Sequence, residues 1–435
     1  MLDLHGQKIA VLGAGRSGRA AASLARACGA AEVTIYDGAE EITDLPEGVL
    51  ACPGADVETG RATQSDLVVL SPGITTESAF VRAFAANSGV LWGEIELAYR
   101  CFGGEIVAIT GTNGKTTTTE LVETLVRAGG RSCVACGNYG RTFSEVVLAE
   151  EVPEVVALEL SSFQLETVRE FRAKARIWLN FSADHMDRYA TLDEYRSAKM
   201  RIFERLAADD LVVARAGEEL GDLAARVTRF SAEEAADWSL REGVIMRGGE
   251  ELVAMERTRL YGRHNAENVM AAWAAAEAVS NLTAEAAREA LRAYAPPKHR
   301  CELIRTLDGV FYLNDSKATN LHAMESAIKS QDRPIVLIAG GKEKGLDYGP
   351  AAELLAGRVR EAVVFGEIGE KLRGLFSSSV PTTRVATLAE AVAAARAGAR
   401  AGEVVLFSPG TSSFDQFSGY EARGDAFREL VLNFH

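Results

Sequence analysis

The sequence has little that would take it out of water or into an oxidising compartment. Only six cysteines occur in 435 residues (Cys28, Cys52, Cys101, Cys133, Cys136 and Cys301). Their scatter argues against a disulfide framework and for a reducing cytosol. No run approaches the roughly 18 apolar residues of a membrane span. The N-terminus, Met1-Leu2-Asp3-Leu4-His5-Gly6-Gln7-Lys8, lacks the charged start and apolar core of a signal peptide. A cytoplasmic chain is expected. Positive charge is scarce too: 47 Lys and Arg stand against 61 Asp and Glu, a formal net charge of −14. Such a surface repels phosphate backbones, which argues against nucleic acid or an anionic membrane as partner. Anionic substrates would then need small, local cationic pockets. Cys133 and Cys136 form a C-x-x-C, but no second pair or His cluster accompanies it, so it reads as part of a buried strand rather than a metal site.

What remains is the balance of an ordinary globular protein, 47% hydrophobic and 25% charged, long enough for about three domains. Short apolar runs alternate with helical stretches, which predicts open α/β sheets. Lys8–Leu12, Val33–Asp37 and Asp66–Leu70 read as strands of a first domain, residues 1–92. Glu105–Thr110, Val155–Leu160 and Ala175–Asn180 belong to a second, 93–297, closed by the breaker Ala295-Pro296-Pro297. Val310–Asn314, Ile335–Ala339, Ala362–Phe365 and Val404–Ser408 belong to a third, 298–435. The expected architecture is Rossmann-like, then P-loop ATPase-like, then Rossmann-like again.

The sharpest motif is Gly111-Thr112-Asn113-Gly114-Lys115-Thr116-Thr117, between a strand and a helix. Backbone N–H groups of such a loop wrap phosphate oxygens at a helix N-terminus. Lys115 can reach the terminal phosphates and the Thr116 hydroxyl can ligate Mg²⁺, so ATP binding is predicted. It is not a complete Walker A, whose first glycine would fall at Ile109. Gly13-x-Gly15-x-x-Gly18, with Asp37 as an acid at ribose distance, fits the dinucleotide fingerprint; the same glycines suit any nucleotide pyrophosphate or plain strand–helix packing. Glu159 ends a strand beside the phosphate loop, a place for a Mg²⁺ ligand. Asp184-His185-Met186-Asp187-Arg188 follows the next strand, and Lys199 read alone is a helix-surface lysine. In the third domain Arg300, Asn314-Asp315-Ser316-Lys317, Lys344 and Ser408–Phe417 follow predicted strands or the proline break, so they can meet at one sheet edge.

Together these stretches resemble the Mur ligase family, ATP-dependent amide ligases of peptidoglycan synthesis, over essentially the whole chain. Gly137-Asn138-Tyr139-Gly140, Glu159-Leu160-Ser161-Ser162-Phe163-Gln164, Asp184–Tyr189, Gly262–Asn268, His299-Arg300 and Asn314–Asn320 carry the likeness. Asn314–Asn320 and Ser413-Phe414-Asp415-Gln416-Phe417 are similar to the D-glutamate-adding branch. The resemblance implies that Gly111, Thr112, Asn113, Gly114, Lys115, Thr116 and Thr117 hold ATP with Asn268, Arg300 and Asp315. It implies catalytic roles for Lys115, Asn138, Glu159, His185 and Lys199. Two Mg²⁺ ions would sit on Thr116, Glu159, His185 and a Lys199 carbamylated by CO₂. Gly15, Arg16, Ser17, Asp37, Ser71, Gly73, Asn138 and His185 would bind UDP-N-acetylmuramoyl-L-alanine, which displaces a nicotinamide or flavin reading of the fingerprint. Lys317, Thr319, Lys344, Ser413 and Tyr420 would take glutamate. Tyr139, Gly410-Thr411-Ser412 and Tyr420 depart from the family's usual residues. The expected reaction is addition of D-glutamate through an acyl phosphate, by a monomer; another Mur or folylpolyglutamate-type ligase with a different acceptor, L-glutamate included, is the alternative.

Overall fold

The computed structural model describes residues 2–182, 188–331, 333–343 and 348–434. Among them three sheets form. The first contains β1 (Lys8–Leu12), β2 (Glu32–Tyr36), β3 (Leu50–Cys52), β4 (Ser65–Leu70) and β5 (Ser88–Gly93), all parallel in the order β3-β2-β1-β4-β5. The winding reverses between β1 and β4, which opens a crevice at their carboxyl ends.

The second sheet contains β6 (Glu105–Thr110), β7 (Cys133–Gly137), β8 (Val155–Glu159), β9 (Ala175–Trp178), β10 (Leu211–Arg215), β11 (Arg226–Ser231), β12 (Trp238–Arg241), β13 (Val244–Arg247) and β14 (Glu250–Ala254). Its order is β14-β13-β12-β11-β10-β9-β6-β8-β7, parallel except for the β12–β13–β14 meander. The third contains β15 (Glu302–Leu307), β16 (Val310–Asn314), β17 (Ile335–Gly340), β18 (Val359–Phe365), β19 (Thr382–Arg384) and β20 (Val404–Phe407) in the order β15-β16-β20-β17-β18-β19. Only β15 runs antiparallel to its neighbour. The predicted α/β class holds, because the central strands are apolar on both faces: every residue of β8 and β17 is buried.

The chain divides into two compact units, Met1–Ala254 with Ala266–Tyr294, and Met255–Asn265 with Ala295–His435. The first two sheets thus share one unit. Residues 255–265 are held in the second by aromatic contact, Tyr261 lying 5.1 Å from Phe311, with the Arg333 guanidinium 4.4 Å from the Phe311 ring centre. Cys133 and Cys136 are buried on β7, where positions three apart face opposite ways. Burial pushes the Cys133 thiol up to about 12, so this pair is structural, as its surroundings in the sequence predict.

Within the first unit, buried carboxylates join the two sheets. Glu96, in the helix Glu94–Cys101 that follows β5, is fully buried and accepts from the N–H groups of Arg169, Glu170 and Phe171 at 2.8–3.2 Å, and from Arg100 Nε at 2.8 Å. Glu94 accepts from Ser144 N at 2.6 Å, and burial raises its carboxyl above the usual range. Deeper in the second sheet, Arg176 on β9 and Asp210 before β10 are both fully enclosed and meet at 2.9 Å. Arg176 also donates to the carbonyls of Ala173, Ile202 and Arg205.

Burial alone would raise the Asp210 carboxyl, but hydrogen bonds from Arg172, Ala207 N and Arg176 hold it below its ordinary value. Asp210→Ala leaves the Arg176 guanidinium buried without its counter-charge, and the expected loss is about 3–5 kcal/mol, read by denaturant unfolding. Because the folded carboxyl is depressed, its stabilisation is present above the unfolded value near about pH 4 and fades as pH falls through the lower folded one. The wild type should therefore lose stability on acidification more steeply than Asp210→Asn; parallel acid profiles would refute the assignment.

Candidate active site

The fingerprint loop and the Ser71 turn meet at the first sheet's crevice. A Cβ on Gly18 would lie 1.9 Å from the Gly13 carbonyl, so that glycine lets the helix Arg16–Ala27 close onto β1. Ser71 packs against Gly13 (Ser71 Oγ donates to Gly13 O at 3.3 Å), and its N–H donates to Leu12 O. Asp37 accepts from Ala14 N at 2.7 Å and from Ala39 N at 2.9 Å, so its carboxylate shapes the loop. Gly15 and Gly73 are exposed and a Cβ on either would meet nothing within 4 Å. Ser17 is half-buried in the first helical turn. Arg16 makes a two-pronged ion pair with Glu145, Nε–Oε1 3.2 Å and Nη2–Oε2 2.9 Å, reaching from the first sheet to the second.

At the second sheet, Gly111–Gly114 joins β6 to the helix Lys115–Ala128, whose N-cap Gly114 has φ 84° and which has no acid in its first turn. The helix start is thus left to an anion. Asn180, two residues past β9, braces the loop: its Oδ1 accepts from Asn113 N at 2.8 Å and its Nδ2 donates to Asn113 O at 3.1 Å. Lys115 Nζ donates to the carbonyls of Gly111 (2.9 Å) and Thr112 (3.0 Å). Lys199 Nζ donates to the same Gly111 carbonyl at 2.9 Å and lies 4.9 Å from the Tyr195 ring centre. Read alone, Lys199 was expected on a helix surface; it is 2% exposed, buried against the phosphate loop. Asn268 leans over the turn, accepting from Thr118 Oγ1 at 3.2 Å, and a Cβ on Gly114 would stand 2.5 Å from its Oδ1.

Glu159 ends β8 and is 2% exposed. Its Oε1 accepts from Asn138 Nδ2 at 2.9 Å, while its Oε2 is buried without a hydrogen-bond partner among the described residues. An enclosed carboxylate oxygen with no donor fits a cation. Among the described residues no group of three or more His, Cys, Asp or Glu is placed to hold a metal. Mg²⁺ does not require one, since it is usually held by one or two carboxylates with phosphates and water. Thr116, Thr117 and Asn113 are half-buried around the same turn, and Thr112 is buried. His185 lies outside the described residues.

In the second unit the ends of β16, β20 and β17 adjoin, as the strand-end rule predicts. Asp315 accepts from Ser408 Oγ at 2.7 Å and Cys301 N at 3.2 Å, and burial pushes its carboxyl up to about 7. Lys317 Nζ stands 5.5 Å from the Tyr420 ring centre. Thr319 is half-buried, Ser413 is 1% exposed, and Lys344 lies outside the described residues. Arg300 sits between two non-glycine residues in left-handed conformation, His299 (φ 65°) and Cys301 (φ 43°), a strain kept where position matters.

Two contributors escaped the sequence reading. Arg423 is fully buried and ties the strand-end loops together by donating to Ser316 O and Thr411 O at 2.9 and 3.1 Å; nothing in its local sequence marks it. Asn180 carried a usable signal, the same strand-end position that singled out Glu159.

Residues 109–276 match the family described as Mur ligase middle domain, and residues 299–410 that described as Mur ligase, glutamate ligase domain. A UDP-N-acetylmuramoylalanine--D-glutamate ligase of Desulfitobacterium hafniense (strain Y51) is 38% identical, over 99% of this chain and 98% of that protein. One from Salinibacter ruber is 39% identical, with the same coverage. The MurF ligase structure from Thermotoga maritima in complex with ADP shares the fold at TM-score 0.56 and 16% identity, over 99% of this chain and 94% of that one. With both family segments matched and relatives of this identity aligned from end to end, the chain belongs to the Mur ligase family.

Proposed function

We propose that the protein is an ATP-dependent amide ligase that adds D-glutamate to UDP-N-acetylmuramoyl-L-alanine in peptidoglycan synthesis, working as a monomer in the cytoplasm. The full-length relatives named for that reaction support the substrates. The geometric observation that carries the chemistry is the set of groups around one phosphate loop: Lys115 and Lys199 on the Gly111 carbonyl, and Glu159 with a buried oxygen that has no partner among the described residues. No helix among the described residues is long and apolar enough to cross a membrane.

A carboxylate is a poor electrophile, so the substrate carboxylate must first take the γ-phosphoryl group of ATP, forming an acyl phosphate that the glutamate amine attacks as phosphate leaves. In this reading Gly111–Thr117 holds the ATP phosphates, its N–H groups facing them except those of Thr112 and Asn113, which Asn180 takes, and Lys115 swings from its carbonyl contacts onto the terminal ones. Asn268 keeps the turn in register, and Asn138 fixes the Glu159 carboxylate through its amide. Thr116, Glu159, His185 and a carbamylated Lys199 would hold two Mg²⁺ ions. When bound, these ions offset the negative charge that builds between ATP and the carboxylate. Gly15, Arg16, Ser17, Asp37, Ser71 and Gly73, with Asn138 and His185, would form the UDP-substrate pocket of segment 1–92 and its border with 93–297. In segment 298–435, Arg300 and Asp315 would contact ATP, and Lys317, Thr319, Lys344, Ser413 and Tyr420 the glutamate.

Lys115→Ala should abolish phosphate release with UDP-N-acetylmuramoyl-L-alanine and D-glutamate while leaving thermal unfolding close to the wild type. Ligation at the normal rate by this variant would sink the mechanism. With wild-type enzyme, phosphate release should require D-glutamate. Equal turnover with L-glutamate, or turnover only with another amino acid, would reject the acceptor.

A further inference from the structure

The turn Pro72-Gly73-Ile74 follows β4 of the first sheet, yet it is held from the second. Arg188, the first described residue after the segment containing His185, donates from Nη1 to Pro72 O at 3.0 Å and from Nη2 toward Ile74 O at 3.5 Å. Its Nη2 also donates to Glu166 Oε2 at 2.7 Å, and the guanidinium carbon stacks 4.1 Å from the Phe163 ring centre. Glu166 is held in turn: Thr76 Oγ1 donates to its Oε2 at 3.2 Å and Tyr189 OH to its Oε1 at 2.7 Å. The ion pair is largely enclosed, with side chains 10% and 14% exposed. Charge-assisted bonds in such surroundings are short and directional, and a planar guanidinium can grip two carbonyls at once where an ammonium cannot.

Two features mark this clasp as more than packing. It grips the carbonyls on both sides of Gly73, the exposed residue of the turn, beside which a side chain would meet open space. It also leaves Arg188 Nε buried without a partner among the described residues, a cost that an apolar filler would avoid.

We infer that Arg188, held by Glu166, is a positioning residue for the UDP-substrate: it fixes the Pro72–Ile74 turn against the second sheet in the shape that receives the substrate's pyrophosphate half. The inference rests on reading this turn as part of the UDP-substrate pocket. It places recognition of one of three substrates on a side chain that acts through the backbone of a turn.

The test is steady-state kinetics on Arg188→Ala, Arg188→Lys and Glu166→Gln, varying each substrate in turn, with calorimetric titration of UDP alone into each protein. The expected result is a KM for UDP-N-acetylmuramoyl-L-alanine raised about tenfold or more in Arg188→Ala, with KM for ATP and for D-glutamate within about twofold of wild type. Arg188→Lys should fall between, because it keeps the pairing with Glu166 but not the two-carbonyl grip. A merely structural residue would lower the melting temperature and shift all three KM values together or none, and that pattern overturns the inference. Should Arg188→Ala fail to fold, Glu166→Gln keeps the shape and removes the charge; an unchanged UDP-substrate KM there overturns it equally. If the wild type binds UDP but releases no phosphate, the ligase reading falls, and weaker UDP binding by the variants still decides for the clasp.

Discussion

The first unit's chemistry depends on the backbone of a four-residue turn being held still. The carbonyls of Gly111–Gly114 are engaged, and so are two of the turn's N–H groups, which leaves the helix start from Lys115 onward to face phosphate: the Asn180 carbonyl accepts from Thr112 N at 2.9 Å. Asn180 takes both the N–H and the carbonyl of Asn113, while Lys115 and Lys199 take the carbonyl of Gly111. Lys115 brings positive charge to where a polyphosphate is expected, at a helix start with no acid of its own. Remove the brace and the turn loses its preorganisation, on which electrostatic catalysis depends.

The same economy of charge runs through a molecule with net charge −14. Most arginines are engaged with carboxylates or carbonyls in the frame: Arg16 with Glu145, Arg176 with Asp210, Arg188 with Glu166. These pairs secure the sheets and loops to one another, and in the proposed function backbone N–H groups and a few lysines are left to meet the anions. An acidic surface and anionic ligands are compatible on these terms, because the attraction is confined to turns at strand ends, within a Debye length of the bound group.

Parallel strands such as β1, β6, β8 and β17 were legible because burial on both faces leaves an unbroken apolar run in the sequence. The β12–β13–β14 meander was not: Trp238–Ala254 mixes Arg, Glu and Gly with its apolar residues, since strands there are partly exposed and carry ion pairs such as Arg247 with Glu277 and Glu250. Glycine turns were legible as well, with Gly18 and Gly114 confirmed by the atoms a side chain would strike. Partners distant in sequence were not. Arg423 bonds to Ser316 across 107 residues, and Arg188 reaches back 116 residues to Pro72; no local pattern encodes either.

By itself the sequence determined the α/β class, the phosphate loop, the strand-end positions of Glu159 and Asp315, and the likeness to the Mur ligases, since each rests on local periodicity or a contiguous motif. Tertiary structure decided which charges are buried and which groups share a partner. It put Lys199, a helix-surface lysine by its neighbours, against the phosphate loop, and left one oxygen of Glu159 without a partner among the described residues. It also turned Asp37 onto the backbone of the fingerprint loop. Burial and long-range pairing are properties of how sheets pack, and a linear pattern records the face a residue occupies without recording what stands opposite it.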